Sequence, residues 1–178
     1  LRGVRWIDVP TSLLAMVDSS TGGKTGADIP EAKNMIGAFH SPSLVLADVE
    51  TLLTLPVREF RCGLAEAIKH AIIGDPGLVD LLPLFHGLKD LKPDETFDAL
   101  ADLDGLAAFV ARAVAVKVRC VREDPFEKGI RAKLNLGHTV GHAVEIATKL
   151  AVEHGEAVAI GTVEEARIAE RMELGGVK

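Results

Sequence analysis

The hydrophobic period of the chain changes once, at Pro56, and that change limits the folds open to it. Before Pro56 the apolar residues come in short runs, Val4-Arg5-Trp6-Ile7-Asp8-Val9 and Ser43-Leu44-Val45-Leu46-Ala47-Asp48. Between them lies a glycine-rich stretch, Ser19-Ser20-Thr21-Gly22-Gly23-Lys24-Thr25-Gly26. Short apolar runs bounded by turn formers read as strands joined by loops. After Pro56, Phe60, Leu64, Ala67, Ile68 and Ile72 fall at helical spacing, predicting a helix over 57–74, and 106–122 and 157–172 repeat the pattern. The region from 75 to 105, with Phe85-His86-Gly87 and Lys92-Pro93-Asp94-Glu95, reads as a short helix and exposed turns to which no function attaches. The pattern is the end of an α/β unit feeding an all-helical unit.

With 178 residues, 48% of them hydrophobic and 26% charged, the chain has the makings of a globular core rather than of a disordered tail. A net charge of −6 and scattered basic residues speak against a nucleic-acid partner, so any positive charge that matters acts locally. No run of eighteen apolar residues exists, and Leu1-Arg2-Gly3-Val4-Arg5 is not the start of a signal peptide; the expectation is a cytoplasmic protein without a membrane partner. Cys62 and Cys120 are too few for a disulfide framework and form no Cys-x-x-Cys pair, so both read as inert thiols. An opening strand with nothing before it, not even a methionine, reads as part of something longer.

Three of the six histidines fall within the seventeen residues from His138 to His154. If Thr139 to Leu150 is helical, His138 and His142 share a face and could serve one metal or one anion; ordinary surface or core histidines would also explain them. His154 stands at the start of the next apolar run. Gly22-Gly23-Lys24-Thr25 resembles the end of a P-loop, but the full pattern needs a glycine where Asp18 stands. What survives is a glycine turn that lets backbone amides approach a ligand, with Lys24 beside it and Lys33-Asn34 further on. Glu66 and Lys69 are three apart in the helix of 57–74, which suits either a surface ion pair or a carboxylate joining two histidines on a zinc with an open position. Lys117, Glu127, Arg131 and Asn135 lead into the histidine segment, where solvated helix ends are an equally good explanation.

Six segments together resemble the 3-dehydroquinate synthase family: Val9-Pro10-Thr11-Ser12-Leu13-Leu14-Ala15-Met16-Val17-Asp18-Ser19-Ser20, Gly22-Gly23-Lys24-Thr25, Lys33-Asn34-Met35-Ile36-Gly37-Ala38-Phe39, Gly63-Leu64-Ala65-Glu66-Ala67-Ile68-Lys69, Asn135-Leu136-Gly137-His138-Thr139-Val140-Gly141-His142 and His154-Gly155-Glu156-Ala157-Val158. The resemblance implies the end of a Rossmann-like NAD-binding domain over 1–56 and an incomplete helical zinc and substrate domain over 57–178. It implies metal ligands Glu66, His138 and His154, with zinc or cobalt as the metal, and gives His142 to substrate and proton handling. Substrate contacts so implied are Asp18, Lys24, Asn34, Lys69, Lys117, Arg131, Asn135 and His142, with Arg2 reaching a neighbouring subunit's site in a homodimer. NAD contacts so implied are Thr11, Ser12, Lys24, Lys33 and Thr51-Leu52-Leu53-Thr54. The implied reaction converts 3-deoxy-D-arabino-heptulosonate 7-phosphate to 3-dehydroquinate and phosphate with recycled NAD. Lys24, Asn34, Lys117, Arg131 and His142 suit an acidic sugar phosphate, because charge-assisted contacts fix such groups most strongly.

The family's upstream glycine-rich dinucleotide turn and its last helical portion have no counterpart here, so the 178 residues alone are expected to show no turnover. His70 stands where tyrosine is common in the family, and 75–105 matches weakly. Metal-dependent alcohol dehydrogenases share the implied layout, but a simple alcohol needs no such cationic pocket. Other sugar phosphate cyclases, which make valiolone-type rings, are nearer, and the intact Asp18-Ser19-Ser20 and Gly-His-Thr-x-Gly-His runs weigh against them. A non-catalytic fragment that only binds metal or a partner subunit is the remaining alternative.

Overall fold

The computed structural model describes residues 4–29, 32–97 and 102–174, at 28 and 32–35 by backbone alone. Strand β1 (Ile7–Asp8) leads into a π-helical turn, Ala15–Ser19, followed by β2 (Lys24–Ile29), β3 (Ala32–Phe39) and β4 (Leu44–Val45). β1 and β4 pair in parallel, Ile7 opposite Leu44 and Asp8 opposite Val45. Both are shorter than the runs 4–9 and 43–48 suggest. A parallel ladder of two strands has no second neighbour to extend it, and Val4, Ile7, Val9, Leu44 and Leu46 are all more than half exposed. β2 and β3 form an antiparallel pair with Lys24 opposite Phe39 and a register shift between Ala27 and Ile29. The second half of the glycine-rich stretch is therefore strand rather than loop.

The helical unit follows its apolar periodicity closely. Helix α1 (Val57–Gly74) starts after Pro56, whose ring fixes φ at −58°, and stops before Pro76, which cannot continue it. A 3₁₀ stretch, Pro76–Asp90, bent at Phe85, fills the region expected to hold a short helix. Helix α2 (Leu103–Glu123) is capped by Asp102, whose carboxylate accepts from the Gly105 amide at 2.7 Å. A 3₁₀ turn (Ile130–Asn135) then hands over to α3 (His138–Ala147) and α4 (His154–Arg171). Among the described residues no helix is long and apolar enough to cross a membrane.

One core joins the two units. Phe60, Phe85, Phe97 and Phe109 pack ring to ring with centroids 4.7–6.5 Å apart. Leu13, Met16 and Val17 from the π turn and Leu52 from the 3₁₀ turn Val49–Thr54 enter the same cluster. Each such buried side chain contributes roughly 1.5–3 kcal/mol relative to exposure. That packing carries the loop holding Asp18 down onto α1 and α2. Cys62 is buried and Cys120 half-buried, and burial pushes the Cys62 thiol up, in keeping with an inert group.

Helices α1 and α4 cross at Gly155. A Cβ there would lie 2.3 Å from the Cys62 Cα, so only glycine permits the approach. Arg58 of α1 clasps the start of α4, with Nε donating to Glu156 Oε1 at 3.0 Å and Nη2 to Oε2 at 2.7 Å. Glu156 in turn accepts from the Glu153 amide at 3.0 Å, closing the first turn around His154.

Candidate metal centre

Glu66 lies in the middle of α1 on the face turned toward α4, and its side chain is fully buried. His138 is the first residue of α3 and His154 the first of α4, so both imidazoles project from helix starts that abut α1. His138 Nε2 is 3.7 Å and His154 Nε2 3.6 Å from the same atom, Glu66 Oε1. Each ligand atom lies within 4.8 Å of the others. Donors on a tetrahedral zinc with bonds of 2.0–2.1 Å sit roughly 3.3 Å apart, close to the spacing seen here. Glu66 Oε1 is buried without a hydrogen-bond partner, an arrangement that a divalent cation would resolve and that is costly otherwise. The described residues therefore fit a catalytic metal with an open position.

The outer nitrogens are also held. His154 Nδ1 faces Glu145 Oε1 at 3.4 Å, and His138 Nδ1 lies 3.2 Å from the Leu136 carbonyl. Such contacts fix which ring nitrogen turns inward. His142 could join Glu145 and His154 in an alternative set, but there one of the three ligands, His142, is exposed. The Glu66 set uses a buried orphan oxygen, and the Glu145 set does not. His142 lies beside the cluster, its ring centroid 5.4 Å from that of His138. Glu145 was not evident in the sequence, because it acts across the α3–α4 contact. Glu165 was equally hidden: from α4 it accepts from the Gly137 amide at 2.7 Å and the Val140 amide at 3.2 Å, pinning the start of α3. Gly137 itself has φ +81°, the left-handed turn that aims His138 inward.

Behind the triad lies a charged layer. Lys69 pairs with Glu66, both side chains being at most 1% exposed. Lys117 of α2 reaches Asp18, donating to its carbonyl at 2.7 Å and lying 2.8 Å from Oδ1. Burial opposes ionisation of Asp18, but the Lys117 and Lys69 ammonium groups outweigh it and hold the carboxyl well below the usual range. Burial likewise opposes ionisation of Glu66, and His154 and Lys69 prevail. Burial, with Lys69 adding to it, lowers His138, whereas the Glu66 carboxylate raises His154. His70, fully buried, has neither ring nitrogen hydrogen-bonded and sits 3.8 Å from Asp18 Oδ1.

A second charged cluster gathers around Arg131 and Lys24. Arg131, 1% exposed, donates to the Gly22 carbonyl at 3.0 Å and the Pro125 carbonyl at 2.8 Å and lies over the Phe39 ring. Lys24 pairs with Glu127, which also accepts from Asn135 Nδ2 at 3.2 Å. The two clusters are joined by Asp18–Gly22 on one side and Asn135–His138 on the other. Lys33 and Asn34 lie on β3, with side chains outside the described residues, as is Arg2. Thr11 and Ser12 follow β1, and Thr51–Thr54 follow β4. Because those strands are parallel, both segments leave the same end of the ribbon, the edge at which open α/β sheets hold nucleotides. Leu52 turns into the core, leaving Leu53 and Thr54 exposed and Thr51 half-buried.

The C-terminal ends of the parallel β1–β4 pair, set against a helical unit presenting one carboxylate and two imidazoles, define a two-part scaffold with a candidate metal site. Comparison with known proteins agrees in detail. Residues 1–62 match the family described as 3-dehydroquinate synthase N-terminal and 63–177 that described as 3-dehydroquinate synthase C-terminal. The chain belongs to the 3-dehydroquinate synthase family. The 3-dehydroquinate synthase of Xylella fastidiosa (strain 9a5c) is 48% identical over 98% of the chain, and that of Symbiobacterium thermophilum 49% over 95%. The chain spans 43% and 45% of those relatives, less than half of each. Among solved structures, the 2-epi-5-epi-valiolone synthase of Streptomyces hygroscopicus subsp. jinggangensis 5008, with NAD+ and Zn2+ bound, is 31% identical with a TM-score of 0.82, covering 97% of this chain and 46% of that one. A 2-deoxy-scyllo-inosose synthase complexed with carbaglucose-6-phosphate, NAD+ and Co2+ is also 31% identical, with a TM-score of 0.79, covering 96% and 45%. The fold is that of the dehydroquinate synthase-like sugar phosphate cyclases.

Proposed function

We propose that the chain carries the metal and substrate machinery of a 3-dehydroquinate synthase, converting 3-deoxy-D-arabino-heptulosonate 7-phosphate to 3-dehydroquinate and phosphate. The observation that carries this reading is the convergence of Glu66, His138 and His154 beside a cluster of cations in a chain of net charge −6. Identity near 48% to named 3-dehydroquinate synthases, against 31% to the other cyclases, favours this ring chemistry over theirs. Glu66, His138 and His154 would hold zinc or cobalt; Thr11, Ser12, Lys24, Lys33 and the Thr51–Thr54 segment would hold NAD. When bound, the pair supplies transient oxidation of a substrate alcohol, polarised by the metal as Lewis acid.

The chain's own residues do the rest. Lys24, Asn34, Arg131 and Asn135 bind the acidic groups of the sugar, Asp18 accepts from its hydroxyls, and Lys69 and Lys117 keep Asp18 and Glu66 ionised. His142, exposed next to the metal ligands, moves protons. The division at Pro56, the homodimer and the role of Arg2 in a neighbouring site belong to the same proposal.

The test is to replace the matching segment of the Xylella relative with these 178 residues and follow phosphate release and zinc content. The parent chimera should turn over, Glu66→Gln should lose zinc and activity, and His142→Ala should keep zinc while losing most activity. A folded, zinc-loaded chimera that releases no phosphate would sink the reading.

A further inference from the structure

Glu127 occupies a backbone conformation that side chains rarely adopt, φ +55°. Strain of this kind persists where surrounding contacts enforce it. Here the enforcing group is Asp124, whose carboxylate accepts from the amides of Lys128 at 2.8 Å, Gly129 at 2.7 Å and Arg131 at 3.2 Å. Phe126 adds an edge contact to Phe39, with centroids 5.8 Å apart, which ties the loop to β3. The outcome is that the Glu127 carboxylate pairs with Lys24 and accepts from the Asn135 amide. These are two groups that the proposed function gives to an acidic substrate. Burial opposes the charge on Glu127, and Lys24, Asn135 and Arg131 overcome it.

We propose that Glu127 is an internal counter-anion: it occupies the Lys24–Asn135 subsite and excludes free oxyanions, yielding only to a ligand also anchored at the candidate metal site. This rests on the anion-binding role given above to Lys24 and Asn135. A lone phosphate that displaced Glu127 would only replace one anion by another on the same donors, so it gains little. A sugar phosphate that also grips the metal side brings further binding energy to the exchange. The subsite thus discriminates the whole substrate from its own leaving group, and released phosphate is not retained. Exposure distinguishes this pair from the sealed one. The Lys24 and Glu127 side chains are 50% and 21% exposed, so water stabilises them when separated, unlike Glu66 and Lys69, which are sealed.

The experiment is calorimetric titration of the 178-residue chain with inorganic phosphate at low ionic strength. Glu127→Gln should bind phosphate on the order of tenfold more tightly than the parent, since a like charge leaves the subsite. Glu127→Gly, which removes the carboxylate and also relieves the positive φ, should do the same and guards against misfolding of the first variant. Adding Lys24→Ala to either variant should abolish the gain. Equal or weaker binding in folded Glu127 variants would show that this carboxylate organises the donors instead of blocking them. Failure of every variant to bind phosphate would overturn the anion subsite itself, and with it the substrate reading.

Discussion

At the scale of single residues, the interior of this chain is unusual in how much charge it seals in. Glu66, Lys69, Lys117 and Arg131 are all at least nine-tenths buried, and such groups persist only when each finds an opposite partner or a metal. His70 is the exception, buried beside that charge as a neutral ring. Burial, reinforced by Lys69, pushes its pKa down to about 4. The unfolded chain holds the same proton with a pKa near 6.5, so between those values unfolding takes up a proton. His70 therefore costs nothing above about pH 6.5, and stability falls as pH drops from there toward 4, by up to roughly 3 kcal/mol at 1.36 kcal/mol per pKa unit. Urea unfolding of the metal-free chain across that window should show a steeper fall for the parent than for His70→Gln. Parallel slopes for the two proteins would mean that His70 is already protonated in the fold.

Among the elements, the long helices were legible because each buries one apolar stripe, and α1 has the bounds its periodicity predicts. The β2–β3 pair was not. Lys24, Thr25, Gly26 and Ala27 are all exposed, so no alternation of apolar and polar residues marks them as strand. The candidate metal site was half legible. Helical spacing pairs His138 with His142 and offers Glu66 as a carboxylate for two histidines, while the choice of His154 over His142 is implied only by family resemblance and depends on three helices meeting. What spacing cannot encode is the approach itself, made at Gly155, where α4 touches the backbone of α1 at Cys62. Gly155→Ala should act on both packing and metal. The added Cβ meets backbone, which cannot swing aside, so a loss of at least 1–3 kcal/mol of stability is expected from overpacking. Zinc affinity should fall with it, because His154 is the next residue and would be pushed away from Glu66. Thermal unfolding with and without zinc measures both, and a variant with parent-like zinc affinity would show that α1 and α4 are not held at that contact.

For the molecule as a whole, stability should be graded rather than uniform. One end holds the phenylalanine cluster and the packed faces of α1 and α2, with Phe60, Phe97, Leu106 and Phe109 at most 1% exposed. The other end is the β1–β4 ribbon, two residues per strand, with Ile7 60% and Leu44 52% exposed. A two-stranded ladder with apolar side chains in water is marginal by itself, whereas helices buried along one face open only with the entire core. Thr11 and Ser12, proposed above for NAD, adjoin that weaker end, while Glu66 of α1, proposed as a metal ligand, lies within the stronger one. Zinc should therefore bind the 178-residue chain with the affinity of a formed site, and a dinucleotide should bind weakly. Hydrogen exchange on the isolated chain gives the expected order directly: amides of 60–72 and 106–120 exchange last and together, near the global unfolding free energy, and those of 7–9 and 44–46 exchange early. Zinc should slow exchange at the starts of α3 and α4 and leave the ribbon unchanged. Uniform protection of ribbon and helices would mean that the ribbon is held as firmly as the shared core, and the separation between a firm helical core and a loose ribbon would have to be given up.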